Sequence, residues 1–465
     1  MINLTPEKFD AIIIGAGQAG KPLALAFAKK GWQTVIIERK YLGGTCINYG
    51  CTPTKTMIAS AHVAHMARRS AEYGVHTGEV KVDIKEVIAR KDKVVGQFRK
   101  SVQDSIEKAE NLTLIRGEAC FTSNKVLEVK LTEGGSRQLT AEKIFIDCGT
   151  SPSIPSLDGL QEAGYLTSTS IMELTELPDH LLIMGGGYIG LEFGQMFNRF
   201  SSQVSILEHG SQVLSREDPD IAGEMANILQ QEGINLLLNT EITKVTRNSS
   251  GGLALNIRTN GKPEILHGSH LLIAVGTKPN TKALNLESAG VKMNEKGYIL
   301  VNDYLETSQA GIYALGDIKG GPAFTHISYD DYRIAEKNIL GEGGASMKGR
   351  MVPYTVFTDP QLGRIGLNEK EALEQGYTIK TAIFPMKYVA RAVETSQTQG
   401  LMKAVIDTKT NQILGAAVLG MEGGEIMSMI QIAMMGNLPY PKLRDAIFAH
   451  PALAESLNSL FSKTE

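Results

Sequence analysis

The sequence predicts an α/β fold, in which two Rossmann-like βαβ units precede an α+β segment. First, AIIIGAGQAG and LLIMGGGYIG each join an apolar run to a glycine-rich turn. Second, each is followed by an apolar run ending in glutamate, and Gly15 precedes Glu38 by as many residues as Gly185 precedes Glu208. Third, VPYTVFTDPQLGRIGL and GLMKAVIDTKTNQILGAAVLG alternate apolar and polar residues, which is typical of antiparallel strands.

The bulk composition excludes several classes of protein. A chain of 465 residues is too long for one core and predicts two to four domains. Its net charge of −3, without runs of like charge, argues against binding to nucleic acid or a membrane surface. The N-terminus lacks the pattern of a signal peptide, and no apolar run is long enough for a membrane span. We therefore expect a cytoplasmic protein.

The residues of each βαβ unit are suited to a dinucleotide. The first glycine permits a tight turn, the second lets the backbone approach a pyrophosphate, and the third lets the helix pack on the strand. The helix N-terminus then presents N–H groups and a positive dipole end to the phosphates. The glutamate can accept hydrogen bonds from ribose hydroxyls. A single glycine-rich turn is weak evidence, because such turns also precede helices that bind no nucleotide. Two complete copies of the unit, however, predict binding of two different dinucleotides.

Further apolar runs suggest where the chain crosses between domains. KIFIDCG and LLIAVG end at Gly149 and Gly276, and a proline follows each within a few residues. Another strand-like run, GIYALGD, ends at Asp317. These crossings are consistent with the two to four domains expected from the length.

The segment GGTCINYGCTPTK carries two cysteines, Cys46 and Cys51. In a regular helix five residues rise about 7.5 Å, so a disulfide between them requires a distorted turn, which Gly50 permits. Two inert thiols or half of a zinc site are the alternatives, although no second cysteine or histidine pair is evident. Lys55 follows Cys51 by one helical turn, where a cation would favour a thiolate.

With these motifs, the chain resembles the pyridine nucleotide–disulfide oxidoreductases, which include dihydrolipoamide dehydrogenase, glutathione reductase and mercuric reductase. The likeness runs from Phe9 to about Leu460. It rests on GAGQAG, GGTCINYGCTPTK, GGGYIGLEFG, AVGTKPN, YALGD, VPYTVFTDP and HPALAE.

The resemblance implies an enzyme that passes electrons from NADH (or NADPH) through FAD to a Cys46–Cys51 disulfide. Cys51 would face the flavin and Cys46 would exchange with the substrate. The three domains would be FAD-binding (1–153 and 273–345), NAD(P)-binding (154–272) and a dimerisation domain (346–465). No metal ligands are expected.

The family also implies roles for individual residues. The implied FAD contacts are Gly15, Gly17, Gly20, Glu38, Gly44, Thr45, Lys55, Ala119, Gly149, Asp317, Thr325 and His326. The implied nicotinamide dinucleotide contacts are Gly185, Gly187, Tyr188, Ile189, Gly190, Glu208 and Gly276. Glu208 favours NADH because an acid there would repel a 2′-phosphate, although His209 and Arg216 lie nearby in sequence.

Two further pairs complete the implied machinery. Lys55 would pair with Glu192, just inside the second glycine-rich helix. His450 and Glu455 would act across a homodimer interface on the partner's cysteines, since a thiol needs a base near neutral pH and a carboxylate can orient the imidazole. His62, His65, His76, His267 and His270 carry no motif.

The sequence indicates the electron acceptor less clearly than the cofactors. The chain ends in NSLFSKTE without the adjacent cysteines typical of mercuric reductases, and it carries His-Pro-Ala where dihydrolipoamide dehydrogenases commonly have His-Pro-Thr. TCINYGCTPTK and HPALAESLNSLF look most similar to a bacterial branch that includes a reactive-chlorine-responsive copper(II) reductase. We expect a Cu(II)- or Hg(II)-type metal ion or a small disulfide as acceptor. The alternatives are a dihydrolipoamide dehydrogenase, possibly a subunit of a multienzyme complex, and an NADH oxidase with incidental cysteines.

Overall fold

The computed structural model describes residues 5–249 and 251–464. These fall into two compact units. The first contains the chain up to Thr56, Ile88–Ser153 and Gly276–Arg350. The second contains Met57–Val87, Ile154–Val275 and the chain from Met351 onward.

The strands are numbered in chain order. They are β1 Glu7–Ile14, β2 Thr34–Glu38, β3 Leu112–Ser123, β4 Val126–Leu131, β5 Ser136–Ile146, β6 Thr150–Pro152, β7 His180–Met184, β8 Gln203–Leu207, β9 Asn235–Leu237, β10 Thr240–Arg247, β11 Leu253–Thr259, β12 Lys262–Gly268, β13 His270–Ile273, β14 Thr277–Pro279, β15 Ile312–Ala314, β16 Tyr354–Val356, β17 Gln361–Gly366, β18 Ile379–Pro385, β19 Leu401–Asp407 and β20 Ile413–Gly420.

The α-helices are α1 Gly20–Lys29, α2 Gly44–Asn48, α3 Cys51–Arg68, α4 Ile84–Glu107, α5 Leu160–Ala163, α6 Tyr188–Arg199, α7 Pro219–Gln231, α8 Thr325–Leu340, α9 Glu369–Glu374, α10 Ala390–Glu394, α11 Gly423–Met435, α12 Tyr440–Arg444 and α13 Ser456–Phe461. Short 3₁₀ turns include Gly316–Lys319 and Leu453–Glu455.

The first unit is built on a parallel sheet. β1 pairs in parallel with β2 and β5, the N-terminal part of β3 pairs with β2, and β15 pairs with β5. The C-terminal part of β3, β4 and the N-terminal part of β5 form an antiparallel meander. The continuous apolar run of β1 is buried from Ala11 to Ile14, as expected of a parallel strand covered on both faces.

The second unit contains the other glycine-rich segment. Its parallel sheet has the order β13-β7-β8-β9, and α6 packs on β7 and β8. A three-stranded antiparallel sheet, β10-β11-β12, follows β9. The core between these elements includes Leu182, Leu207, Leu255 and Leu271.

The C-terminal part of the second unit is α+β. Its antiparallel sheet has the order β16-β17-β20-β19-β18, and α11 packs on β17 and β20. Alternate residues of the strands, including Met402, Ala404 and Ile406, join α11 and α13 in one apolar core. Two parallel βαβ units and a C-terminal antiparallel sheet confirm the predicted fold class. In the described part of the chain, no helix has the length and apolarity needed to cross a bilayer.

Candidate active site

The first glycine-rich turn joins β1 to α1 in the first unit. Gly15 has φ of +102°, and a Cβ there would lie 2.3 Å from the carbonyl oxygen of Asp147, so only glycine fits. A Cβ on Gly17 would lie 2.5 Å from Asp147 Oδ2. Gly20 begins α1, whose N-terminus has no acidic residue in its first turn. The glycines therefore let the backbone turn closely against Asp147 at the start of α1, where the helix N-terminus favours a pyrophosphate.

The second glycine-rich turn repeats this geometry in the second unit. Gly185 has φ of +113°, and a Cβ there would lie 2.6 Å from the carbonyl oxygen of Ala274. Gly187 precedes α6, and a Cβ added to it would meet nothing within 4 Å. Tyr188 and Ile189 form the first turn of α6. The backbone thus leaves space above the helix N-terminus for a phosphate.

The terminal glutamates of both units are held in the same way. Glu38 Oε2 accepts the N–H of Ala16 at 3.0 Å and Oε1 accepts the N–H of Lys40 at 2.8 Å. Glu208 accepts the N–H groups of Gly186 and Gly210, each at 2.7 Å. Each carboxylate oxygen retains a further lone pair, which fits a ribose hydroxyl. These features fit a dinucleotide in each unit.

The sequence did not single out Asp147, which supports the first turn from the end of β5. Its Oδ2 accepts the N–H of Gly20 at 2.7 Å, across 127 residues of chain. Burial raises the pKa of Asp147 well above its ordinary value; the Gly20 hydrogen bond opposes this, and the charges of Asp317 and Asp331 add to it. An acid directly after the apolar run KIFI was the only signal in the sequence.

The cysteine pair lies where two helices meet. Cys46 is in the short helix α2, which ends before Tyr49, and Cys51 is the first residue of α3. The helix is therefore interrupted between the cysteines, as the disulfide spacing required. A Cβ on Gly50 would lie 3.1 Å from the carbonyl oxygen of Thr45 and 3.3 Å from Cys46 Cα, so glycine suits this close approach.

The two thiols interact with each other. The hydrogen bond with Cys51 is the main cause that raises the pKa of Cys46, and burial adds to it. No disulfide joins Cys46 and Cys51 in this structure. Since ionisation of one thiol opposes ionisation of the other, the reduced pair holds one thiolate more readily than two.

The helix that carries Cys46 is attached to the first glycine turn. The N–H of Gly43 donates to the carbonyl oxygen of Ala16 at 2.9 Å, and a Cβ on Gly44 would lie 2.8 Å from Gly17 Cα. Thr45 is the next residue of α2. The turn and the dithiol are thereby parts of one local structure within the first unit.

Asn48 and Arg99 fix the far end of α2. Asn48 Nδ2 donates to the carbonyl oxygens of Leu42 and Gly44, each at 2.9 Å. Arg99 Nε, on α4, donates to Asn48 Oδ1 at 2.9 Å. Arg99 also lies over the ring of Tyr41, 3.9 Å from its centroid. Arg99 could not be recognised from the sequence, because α4 carries no motif.

Asp317 and Thr325 lie on neighbouring elements of the first unit. Asp317 is in the 3₁₀ turn after β15, where Thr150 Oγ1 donates to its Oδ2 at 3.4 Å. Burial raises the pKa of Asp317. Thr325 is the first residue of α8, and its Oγ1 lies 3.4 Å from Cys51 Sγ. The following residue, His326, is exposed and stacks with Phe324.

A buried aspartate, also missed, joins these two elements. Asp331, on α8, is fully buried and accepts the N–H of Gly316 at 2.8 Å. Lys319 Nζ lies 3.2 Å from its Oδ2, and Arg350 donates to its Oδ1 at 2.7 Å. Two cations and a backbone donor therefore compensate the buried carboxylate, which ties α8 to the turn of Asp317.

The remaining predicted cofactor residues lie as follows. Ala119 is buried in β3, Gly149 has a left-handed backbone between β5 and β6, Gly190 is buried in α6, and Gly276 precedes β14. Among residues 5–249 and 251–464, no cluster of three or more histidine, cysteine, aspartate or glutamate side chains is arranged to hold a metal ion.

The predicted Lys55–Glu192 pair remains a prediction. Lys55 lies on α3 one turn after Cys51. Glu192 is buried in α6, and its Oε1 accepts the N–H of Phe357 at 2.9 Å. Glu192 therefore connects the second glycine-rich helix to the segment after β16.

His450 and Glu455 are in contact. Nδ1 of His450 lies 2.8 Å from Glu455 Oε2, and the histidine side chain is 66% exposed. The carboxylate fixes the imidazole so that Nε2 points away from it. That nitrogen is available to exchange a proton with another molecule.

His62, which carried no motif, belongs to an ionic network of the second unit. Its Nδ1 lies 2.8 Å from Asp359 Oδ2, and Arg199 donates to the same oxygen at 2.6 Å. The hydrogen bond from Asp359 raises the pKa of His62. Burial opposes ionisation of Asp359, but His62 and Arg199 hold its pKa below the ordinary value. Arg199 also pairs with Glu232 at 2.7 Å.

Two dinucleotide turns, a dithiol beside the first of them and a C-terminal antiparallel sheet define a flavin- and nicotinamide-dependent dithiol oxidoreductase. The sequence profile described as pyridine nucleotide-disulphide oxidoreductase matches residues 9–331, and that of the family's dimerisation domain matches residues 352–461. The chain belongs to the pyridine nucleotide-disulfide oxidoreductase family. Its cofactors are those of the family, FAD and NAD(P)H, as predicted.

Comparison with individual proteins shows which members of the family this chain resembles. The chain is 40% identical over 460 residues to the probable pyridine nucleotide-disulfide oxidoreductase RclA of Escherichia coli, covering 98% of this chain and 99% of RclA. It is 34% identical to a mercuric reductase of Staphylococcus aureus, covering 97% and 81%. Dihydrolipoyl dehydrogenase of Chlamydia muridarum is 31% identical, covering 97% and 95%.

A solved structure agrees with this comparison. The Cu(II) complex of the HOCl-induced flavoprotein disulfide reductase RclA from Escherichia coli superposes with a TM-score of 0.90 at 39% identity, covering 99% of this chain and 100% of that one. The predicted resemblance, including its branch, is confirmed.

Proposed function

We propose that this enzyme transfers two electrons from NADH, or NADPH, by way of the Cys46–Cys51 pair to a soft metal ion of the Cu(II) or Hg(II) type or to a small disulfide. The observation that carries the proposal is the position of Cys46 in α2 and of Cys51 at the start of α3, on either side of the break at which Gly50 approaches the backbone of Thr45 and Cys46. Similarity to RclA and to mercuric reductases supports the choice of acceptor class.

The first unit has the residues to hold FAD. Gly15, Gly17 and Gly20 supply the phosphate turn, Glu38 a ribose acceptor and Asp317 an acceptor for further hydroxyls. Bound there, FAD supplies a carrier that accepts hydride from the nicotinamide and passes electrons to the disulfide. The first glycine turn contacts α2, so the dithiol lies on the element that adjoins the proposed cofactor site.

The chemistry of the cysteine pair balances in two halves. In the first, the disulfide gains two electrons and two protons and becomes a dithiol. In the second, the dithiol reduces one small disulfide by thiolate exchange and regains its own S–S bond. With Cu(II) the same two electrons reduce two ions to Cu(I), and two protons are released. Thiolates prefer such metals to hard cations.

The two cysteines have different proposed roles. Cys51 begins α3, where helix N–H groups favour a thiolate, and it is the cysteine proposed to face the flavin. Cys46 is proposed to meet the acceptor. The raised pKa of Cys46 calls for a proton acceptor. His450, oriented by Glu455, is the proposed base, acting from the second subunit of a homodimer, which the dimerisation-domain match supports.

The remaining assignments are part of the same proposal. Residues 1–153 with 273–345 bind FAD, 154–272 bind the nicotinamide dinucleotide, and 346–465 form the dimer interface. Lys55 is proposed to act beside the flavin with Glu192. Glu208, held by two backbone N–H groups, favours a dinucleotide with a free 2′-hydroxyl.

A panel of acceptors with matched variants tests the proposal. Cys46→Ser should lower turnover with Cu(II), Hg(II) and glutathione disulfide by at least about 100-fold, because no internal disulfide can form. Cys120→Ser, in β3, is the control and should leave turnover unchanged. The expected stoichiometry is two Cu(II) per NADH, because each ion takes one electron, and one Hg(II) or one glutathione disulfide per NADH, because each takes two.

Full turnover of Cys46→Ser with all of these acceptors would refute the dithiol route. Fast reduction of NAD by dihydrolipoamide, with slow turnover of the metal ions and glutathione disulfide, would instead assign the chain to the dihydrolipoamide dehydrogenase class.

A further inference from the structure

A buried aspartate lies between the two turns of the proposed FAD site. Asp147 directly follows β5 and is 7% exposed. Its Oδ2 accepts the N–H of Gly20 at 2.7 Å, and a Cβ on Gly17 would lie 2.5 Å from the same oxygen. Its Oδ1 faces the other turn, since a Cβ on Gly316 would lie 3.0 Å from it. One carboxyl group therefore supports both the pyrophosphate turn and the 3₁₀ turn that carries Asp317.

This location opposes ionisation of the carboxyl group. Burial raises the pKa of Asp147 well above its ordinary value, the N–H of Gly20 opposes that shift, and the charges of Asp317 and Asp331 add to it. The main causes of the shift include no cation. A buried carboxylate without a counter-charge is costly, so a proton is the simplest means of neutralising it.

The charged and titratable groups around Asp147 come from its own segment and from four other elements. They are Cys148 next in the chain, Lys21 on α1, Glu38 on β2, Asp317 and Lys319 on the 3₁₀ turn, and Asp331 on α8. Glu38 is held by two backbone N–H groups. Lys319 lies 3.2 Å from Asp331, and it opposes the rise that burial causes in the pKa of Asp317. The charge of Lys319 is therefore shared between two other carboxyl groups.

Binding of FAD would add negative charge on the other side of this balance. A pyrophosphate held at the N-terminus of α1 lies next to the backbone whose N–H already donates to Asp147. A like charge nearby disfavours the ionised form of a carboxyl group. A neutral Asp147 removes the repulsion, and with its proton on Oδ1 it keeps Oδ2 as the acceptor for Gly20.

We propose that Asp147 is a positioning residue of the FAD site that takes up one proton on Oδ1 when FAD binds, so that the flavin is held most tightly at low pH and is released more readily as pH rises. The solvent supplies the proton, and no other bond changes. This inference rests on the proposed function in one respect, since it assumes that the first unit holds FAD.

The first test measures the affinity of the full-length, flavin-free protein for FAD by quenching of flavin fluorescence. The dissociation constant should rise at least about tenfold from about pH 5 to about pH 9, because the protonated form binds better and a shift of one pKa unit corresponds to a factor of ten. Asp147→Asn keeps the shape and an acceptor for Gly20 but cannot ionise, and its dissociation constant should stay nearly constant. Asp104→Asn, a partly exposed aspartate of α4, is the control and should keep the pH dependence.

The second test counts the proton directly. Calorimetry of FAD binding in phosphate and in Tris buffers, which differ in ionisation enthalpy, gives the number of protons taken up. At the pH where affinity changes most steeply, the wild-type protein should take up more protons than Asp147→Asn. In the FAD-loaded protein, the infrared C=O band of a protonated carboxyl group should be stronger in the wild type than in this variant. Asp147→Ser is a second neutral variant, used if the asparagine variant does not fold.

The outcomes separate this inference from the proposed function. Equal pH dependence and equal proton uptake in the wild type and in a folded neutral variant would overturn the role of Asp147 and assign any proton to another group, such as Asp317. Loss of turnover in Cys46→Ser would still support the dithiol route in that case. Full turnover of Cys46→Ser would refute the proposed function whatever the Asp147 variants show.

Discussion

Outside the dithiol, Asp331→Asn is the substitution expected to lower the stability of the fold most. Asp331 is 0% exposed, and the side chain of its partner Lys319 is 4% exposed. The asparagine can still accept the N–H of Gly316, but it removes the buried charge that faces the ammonium of Lys319, and it leaves the guanidinium of Arg350 paired with the partly exposed Asp330. Removing one member of a buried ion pair costs about 3–5 kcal/mol.

The corresponding drop in thermal midpoint is about 6–12 °C, taking 2–4 °C per kcal/mol and the lower end of that cost. The assay is thermal unfolding of the flavin-loaded protein followed by circular dichroism and by flavin release. Because Asp331 holds α8 to the turn of Asp317, release of flavin should also begin at a lower temperature.

Asp330→Asn is the matched control on the same helix. Asp330 also faces Arg350, at 3.4 Å, but its side chain is 35% exposed, and pairs of this kind contribute about 0–1 kcal/mol. If both variants lowered the midpoint by the same small amount, the cluster around Asp331 would not carry the stability assigned to it.

Three further predictions concern cofactor binding, pH dependence and catalysis. Gly17→Ala should abolish tight FAD binding, measured by flavin fluorescence, because its Cβ would lie 2.5 Å from a buried carboxylate. Asp359 raises the pKa of His62, so the charged pair stabilises the fold below the ordinary histidine pKa, and this contribution is lost as pH rises through the raised pKa. His62→Gln should therefore lower the thermal midpoint at about pH 5.5 and have little effect at about pH 9. Glu455→Gln should lower turnover at least about tenfold, because the amide no longer stabilises a protonated His450.

Each of these has a control of the same chemistry. Gly223→Ala, in α7, should retain FAD because a Cβ there meets nothing within 4 Å. His76→Gln, an exposed histidine, should show no pH-dependent change in midpoint. Glu374→Gln, an exposed glutamate of α9, should keep full turnover. Equal midpoint shifts at both pH values for His62→Gln would contradict the ionic explanation.

The sequence was sufficient for features that depend on local spacing. The two glycine turns and their glutamates lie within short βαβ units, and each turn has the geometry that its glycines require. The break between Cys46 and Cys51 followed from helix geometry and from Gly50. The C-terminal antiparallel sheet followed from alternation of apolar and polar residues along β17, β19 and β20.

The supporting residues could not be predicted because they act across long separations. Asp147 meets Gly20 across 127 residues, and Arg99 meets Asn48 across 51. Asp331 lies on a helix whose sequence is polar and without a motif, and only its complete burial reveals that it carries a compensated charge. Such contacts depend on how distant helices and strands pack against each other. The periodicity of residues along one segment carries no information about that packing.

The way Glu208 is held has a consequence for changing the dinucleotide preference. Its two oxygens accept the N–H groups of Gly186 and Gly210. The carboxylate that would select a ribose therefore also holds the backbone of the turn in place. Replacing Glu208 with a cationic residue to admit a phosphate would leave both N–H groups without their acceptor. Redesign of specificity in this enzyme would therefore have to supply a new acceptor to the turn together with the new cation.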